Sequence, residues 1–560
     1  VDTPPDPTPP PTPVQAKLDA KFVYEIETPL GLGPFAPYQK ERMAHETVFR
    51  LFWGRVIAWL IIVVVTGWLG LAGALYYFIK TKRGFDEVPF SLVLSLPWRL
   101  DEYRRAKGEY MLKRGLAAAE DQKWREAFYF LRAALPSVPE HEEARMIVAR
   151  VYLMAGRPDQ AQEVLVEGIP HHRARVDYLR TVLGFLFGQQ ADEAVVALAR
   201  ELADDDEGDT AFRRMVFTAE AYAHFNRNRF IEAEEVFSRA GLVGTPEARF
   251  VAARIAWERG RREVALASLR ELQAQVPDDT EIHRTLVYYL NEAGRASELR
   301  RVGLAMQLAR PERPEGYLDF LTGLAADGET EAVAEAEADY LGRFENNAPA
   351  LLRLAERAAT AGRAASVEAV LERLRAIGAK EAEPATLLLA EARLEAGDLP
   401  AVGAMPPGPE TWSEASRLVL EGLRAVALLR LGRELEAEAL LWRVTESRRL
   451  PAHAAVALAG RWQAAGRAEA ARRLLERAVE IDPLHQPALV ALLRDAVARR
   501  ELEDKGELAT RLATMRKPPE DLMVALAAAF GSDSFMFQAD RMATIQALEA
   551  RLAELRASRG

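Results

Sequence analysis

Cysteine is absent from all 560 residues, which removes disulfide frameworks, thiolate metal sites, iron–sulfur clusters and thiol nucleophiles together. Asparagine is scarce, confined to positions 226, 228, 291, 346 and 347. Net positive charge is missing too: 73 Lys and Arg stand against 83 Asp and Glu, so general nucleic-acid binding is not expected. Residues 1–100 carry 10 basic and 9 acidic side chains, so the acidic excess lies downstream. The motifs GxxxxGK followed by Ser or Thr, GxGxxG, HExxH and GxSxG are all lacking. Eight histidines are scattered, and the one adjacent pair, His171-His172, would point to different sides of a helix. No catalytic residue, cofactor or metal is therefore expected.

Long apolar runs are also lacking, with one exception. Val56–Ile79 holds 24 residues without a charge. At 1.5 Å per residue such a helix can cross a hydrocarbon core about 30 Å thick. Trp53 and Trp59 stand near one end and Tyr76 and Tyr77 near the other, as amphipathic rings do at bilayer interfaces. The run starts too far into the chain and is too long for a cleaved leader. A single-pass protein of a bacterial inner membrane is expected, touching lipid through residues 56–79. Basic residues flank the run four against four (Lys40, Arg42, Arg50, Arg55; Lys80, Lys82, Arg83, Arg99), so charge does not orient it; the missing cysteine leans towards a periplasmic soluble part. Thr66, Gly70 and Ala74 follow the small-xxx-small spacing that lets two such helices approach closely.

Residues 1–13 contain seven prolines and are expected to be extended. Phe22, Tyr24 and Ile26 alternate as in a short strand, whereas Gly31, Gly33, Pro34 and Pro37 mark loop. Val88–Leu100, apolar but broken by Pro89 and Pro97, is expected along the membrane surface or beneath the first soluble helices.

Downstream the chain repeats. One slot in the register falls at Ala127, Ala161, Ala194, Ala233, Ala265, Leu299, Val333, Val367, Val402, Ala437 and Ala471, most steps being 34 or 35 residues. A glycine five residues earlier recurs at Gly156, Gly260, Gly294, Gly328, Gly362, Gly397, Gly432 and Gly466. Glycine ends a first helix by accepting positive φ, small residues in a second helix allow close approach, and proline stops the unit. One hairpin cannot bury its own apolar face, so neighbours must stack into a solenoid. The pattern resembles the tetratricopeptide repeat family, with its best copies at Glu142–Gly168, Gly260–Pro277 and Ala459–Pro483. The family's tryptophan near the start of the unit is missing from most copies.

The resemblance implies an all-α, tetratricopeptide-like solenoid of about eleven helical hairpins, preceded by a single transmembrane helix. The expected layout is an extended tail at 1–40, the juxtamembrane part and span at 41–83, and a connector at 84–107. The solenoid follows at 108–510, with capping helices at 511–560. The 39-residue step covers Asp204–Asp209, read as a solvated acidic loop, and Met405–Pro409 is read as a break between repeats. In the family, first helices commonly line a concave binding groove. Carrying that over by repeat position gives Thr218, Tyr222 and Phe225; Phe250, Arg254 and Trp257; Arg284, Tyr288 and Asn291. Each trio lies on one helical face, and aromatic and Arg side chains dominate interface energetics. The competing reading is that these rings only pack between repeats. With so few asparagines, the family's carboxylate clamp is poorly supported. The resemblance implies a non-catalytic scaffold or assembly factor that recruits protein partners to a membrane machinery of secretion, envelope or polysaccharide-export type. The alternative is a permanent structural subunit of a large membrane complex.

Overall fold

The computed structural model describes residues 35–39, 47–51, 53–82, 84–85, 88–172, 176–203, 210–532 and 540–557. The proline-rich tail, the alternation at Phe22–Ile26 and the acidic loop lie outside the described residues. Two compact units divide after His172.

The first unit opens with an antiparallel strand pair, Phe35–Gln39 against Thr47–Leu51, with Phe35 opposite Leu51 and Gln39 opposite Thr47. Pro37, expected in a loop, sits in the first strand. Each strand of a two-stranded ribbon is an edge, so the N–H that proline lacks can fall on the unpaired side. Next comes a 30-residue helix, Trp53–Lys82, long and apolar enough to cross a membrane. From Ile57 to Val65 its large apolar side chains are exposed. Its C-terminal half is covered on one side: the short helix Phe90–Leu94 lies against it, Trp68 Nε1 donates to the Leu94 carbonyl at 2.9 Å, and Tyr76 meets Phe90 edge-on. Tyr103, Ala106 and Tyr110 of the helix Leu100–Glu120 close the same cluster around Ile79, Phe85 and Val93. The Val88–Leu100 segment thus packs between the apolar helix and the first polar one. This unit ends with Trp124–Ala134, Glu142–Met154, Pro158–Val166 and a short 3-10 turn, Ile169–His171. His171 points outward and His172 is buried.

In the second unit helical hairpins follow one another from Val176–Gly188 with Asp192–Ala203 to Gln486–Arg499 with Gly506–Thr514. The first helix of each well-formed copy closes in the same way. At Gly466, for example, φ is 80°, the Gly466 N–H donates to the Gln463 carbonyl at 3.0 Å, and the Arg467 N–H reaches the Trp462 carbonyl at 2.9 Å. That pair of bonds is a Schellman closure, which a residue with a Cβ adopts only at a cost. Across both units, four described copies lack the glycine and yet keep the geometry: Gln122, Gln190, Asn228 and Arg500 hold φ of 60°, 54°, 63° and 64°. This corrects the register in one copy. Five residues past Gln190 is Val195, fully buried, whereas Ala194 is half-exposed. The slot also continues once more, at the buried Ala509. Near Met405–Pro409 the second helix shortens to one turn, Leu399–Gly403, because Pro406 and Pro407 cannot continue it.

Ala296–Ala309 and Glu315–Ala326 approach each other backbone to backbone. A Cβ added at Gly303 would lie 2.5 Å from the Phe320 amide nitrogen and 2.8 Å from the Gly316 carbonyl oxygen. Backbone cannot give way as a side-chain tip can. Gly303→Ala should therefore destabilise by about 1–3 kcal/mol, despite roughly 1 kcal/mol of gained helix propensity. Gly184, mid-helix with open space around it, is the matched control: Gly184→Ala should stabilise by roughly 0.5–1 kcal/mol. Denaturant melts of both variants check the pair, and equal signs would contradict the close approach.

Beyond the last hairpin, Glu520–Phe530 and Arg541–Ala557 bury Leu526, Phe530 and Leu548 against the end of the stack. They also reach far back in sequence. Arg516 forks onto Asp192 (Nε to Oδ2 at 2.8 Å, Nη2 to Oδ1 at 2.7 Å), and Arg551 donates to the Arg227 carbonyl at 2.9 Å. The C-terminal region therefore contacts the first hairpins of its own unit.

Candidate protein-binding face

Three first helices form the face that the sequence singles out: Thr210–Asn226, Pro246–Glu258 and Thr280–Glu292. Their starts are set locally. Thr245 accepts the Ala248 N–H at 3.3 Å ahead of Pro246 at the first helical position, and Asp279 accepts the Glu281 and Ile282 N–H groups. Within each helix, spacings of four and three residues then bring the chosen side chains onto a common side.

The structure sorts those side chains into two kinds. Phe225, Phe250 and Trp257 are buried, and Tyr222 is half-buried. Tyr222 and Phe250 meet at 6.5 Å, and Trp257 stacks on Tyr289 with centroids 4.0 Å apart and planes 3° from parallel. Arg254, half-buried, holds its guanidinium 4.4 Å from the Phe225 ring, 5.5 Å from Tyr222 and 5.7 Å from Phe250. For these residues the packing role is real: they cement neighbouring repeats around one half-buried cation. Burial pushes the Tyr222 hydroxyl well above its ordinary pKa and the Tyr289 hydroxyl up to about 12, against the opposing charge of Arg254. Both stay neutral at any ordinary pH.

Arg284 and Tyr288 are the second kind, both exposed, Tyr288 at 61%. They border an open groove of about 530 Å³ whose other walls include Arg254, Trp257, Glu258 and Glu292. Thr218 is half-buried and Asn291 exposed; neither borders the groove. Sequence reasoning missed one wall. Lys517 comes from the C-terminal region, pairs with Glu258, and holds its ammonium 5.5 Å from the Phe225 ring. Nothing in the repeat pattern signals a contact across that distance in sequence.

In the apolar helix, Thr66 donates its hydroxyl to the Ile62 carbonyl at 2.6 Å, a Cβ at Gly70 would meet open space, and Ala74 is exposed. The small-residue row is uncovered by the described residues.

A family model described as tetratricopeptide repeat matches residues 118–183. Over those residues the chain carries tetratricopeptide repeats. No curated protein sequence matches it. Among solved structures it is similar to one reported under the functional characterization of Pseudomonas aeruginosa pilF. That match has 18% identity over 40% of this chain and 98% of the other, with a TM-score of 0.26. It is also similar to Naa15/Naa10 bound to HypK-THB (13% identity, 88% and 78% covered, TM-score 0.26). Yeast Tom70 is a third (12%, 81% and 97% covered, TM-score 0.26). The assignment to tetratricopeptide repeats rests on the repeat itself rather than on these loose superpositions.

Proposed function

We propose that this chain is a membrane-anchored tetratricopeptide-repeat scaffold that binds protein segments through the groove at Trp257, Arg284 and Tyr288 and recruits them to a membrane machinery of secretion, envelope or polysaccharide-export type. The observation that carries the reading is the contrast on one face. Five side chains are spent on joining repeats, while an exposed tyrosine and an arginine with no ion-pair partner among the described residues stand beside them over an open groove. Exposed aromatic and Arg groups next to a rigid, desolvated floor are what interface anchors require. The anchor reading is supported by the exposed apolar side chains that surround the helix between Ile57 and Val65, a surface that water disfavours and hydrocarbon accepts. The inner-membrane location and the pairing of spans through Thr66, Gly70 and Ala74 belong to the same proposal.

Alkaline carbonate extraction of native membranes tests the anchor. The chain should stay in the pellet, and a variant with Val63, Val64 and Val65 all replaced by Asp should move to the supernatant. Release of the natural chain by carbonate would remove the membrane half of the reading and leave the groove half standing.

A further inference from the structure

Neighbouring repeats carry ion pairs at the rims of their joins, such as Arg295 with Glu263 and Arg499 with Glu469, but the contact between the C-terminal region and the first hairpins of the second unit is dominated by them. Successive repeats meet through buried Ala, Leu, Val and aromatic side chains. The long-range contact is ionic. Asp192, only 1% exposed, takes both arms of the Arg516 guanidinium, and its Oδ1 also accepts the Asn226 amide at 3.0 Å. The Gln190 side chain accepts the Arg516 backbone N–H at 3.1 Å. Lys517 pairs with Glu258. Arg227 donates to the Thr514 carbonyl at 2.8 Å, and Glu554 accepts from Arg227 at 3.2 Å and from Arg229 at 2.9 Å.

Two rings complete the receiving face. The Arg516 guanidinium lies 5.5 Å from the Phe187 ring and the Lys517 ammonium 5.5 Å from Phe225. Each cation of the Arg-Lys pair thus has one carboxylate and one aromatic face. From the other side, Gln486 donates to the Arg516 carbonyl at 2.9 Å, so the segment is gripped through its backbone as well. Lys517 holds a φ of 45°, a left-handed conformation that a side chain adopts at a cost, directly before Pro518 and Pro519. Its charged contacts keep it there.

We propose that the segment Thr514–Lys517, with the C-terminal helix behind it, is a releasable latch. The face it covers, built from Phe187, Gln190, Asp192, Phe225 and Glu258, is a docking site for an extended protein segment bearing an adjacent Arg-Lys pair. In the closed chain the latch is that segment. A partner carrying the same chemistry displaces it, frees the two rings and removes Lys517 from the wall of the neighbouring groove. The outer pairs, Lys517 with Glu258 and Glu554 with Arg227 and Arg229, are partly exposed and so weakened by salt, while the buried Asp192–Arg516 fork is shielded; the outer pairs suit a contact made to be exchanged. This inference stands apart from the groove reading: Tyr288→Ala should leave the latch closed.

The absence of native cysteine makes the test clean. Glu232→Cys, exposed on the helix Phe230–Arg239 next to Arg227 and Arg229, and Glu549→Cys, exposed on the C-terminal helix, give the only thiols in the full-length chain for spin labels. Pulsed dipolar spectroscopy should show one narrow distance in otherwise natural protein. The double variant R516E/K517E should show a longer, broad distribution, and 1 M NaCl should shift the natural chain the same way. D192N, nearly isosteric, should shift it in part, with circular dichroism showing retained helix in both variants. A synthetic peptide of residues 510–521 should bind R516E/K517E at least tenfold more tightly than the natural chain, and the same peptide with Arg516 and Lys517 replaced by alanine should not bind. An unchanged distance in a folded R516E/K517E chain, or equal peptide affinity for closed and opened chains, would overturn the proposal.

Discussion

Replacing Trp462 with alanine is expected to lower stability by about 3–5 kcal/mol. The ring is fully buried in the helix Ala452–Ala464, and its Nε1 donates to the Gly422 carbonyl at 3.3 Å, on the neighbouring repeat. Leu458 presses on the same glycine so closely that a Cβ there would stand 2.5 Å from a leucine methyl. Removal therefore leaves a cavity between two repeats that the surrounding backbone cannot fill, and it takes away a second hydrogen bond from a carbonyl already bonded within its own helix. Because this hairpin packs its core mainly against its neighbours, the loss should be local. Hydrogen exchange should accelerate over residues 414–481 far more than over 280–376. Trp442, 67% exposed on the helix Glu434–Glu446, is the internal control, and its alanine variant should stay within roughly 0.5 kcal/mol of the natural chain. A loss below about 1 kcal/mol for Trp462→Ala would show that this repeat joint is not tightly packed.

The second large effect concerns binding. Tyr288→Ala combined with Arg284→Glu should weaken capture of the partner by roughly 30-fold or more, about 2 kcal/mol, while leaving the melting temperature unchanged. The two residues are exposed, so their removal opens no cavity. Trp257 is the wrong probe for this purpose. It is buried and stacked on Tyr289, so Trp257→Ala would cost stability and binding together. Affinity measured for both variants against melting temperature separates the roles, and a double variant that binds as the natural chain does would exclude the groove.

The all-α repeat was legible because its marks are local. A glycine with positive φ five residues before a buried small residue is enforced by one helix end and one helix crossing, both within a single copy. Where another residue accepts the same φ, as at Gln190, the mark disappears, and the register slid by one to Ala194. On the candidate face, the helical spacing of Tyr222, Phe250, Arg254 and Trp257 was legible, but not which would be buried. That depends on how far neighbouring helices overlap, a quantity with no periodic trace. The latch was invisible for a stronger reason. Asp192 and Arg516 are 324 positions apart, and each reads alone as an ordinary solvated charge. The pairing of Phe35–Gln39 with Thr47–Leu51 was hidden by Pro37, whose usual meaning as a loop mark fails at an edge.

The central claim is that an anchored repeat array presents Tyr288 and Arg284 to a protein partner. Site-specific photo-cross-linking in native membranes tests it most directly, with a benzophenone amino acid in place of Tyr288 and, separately, of Trp442. The account predicts one discrete adduct from position 288, lost when Arg284→Glu is added, and none from position 442. Adducts from position 442 but not 288, or an adduct at 288 indifferent to Arg284→Glu, would contradict it.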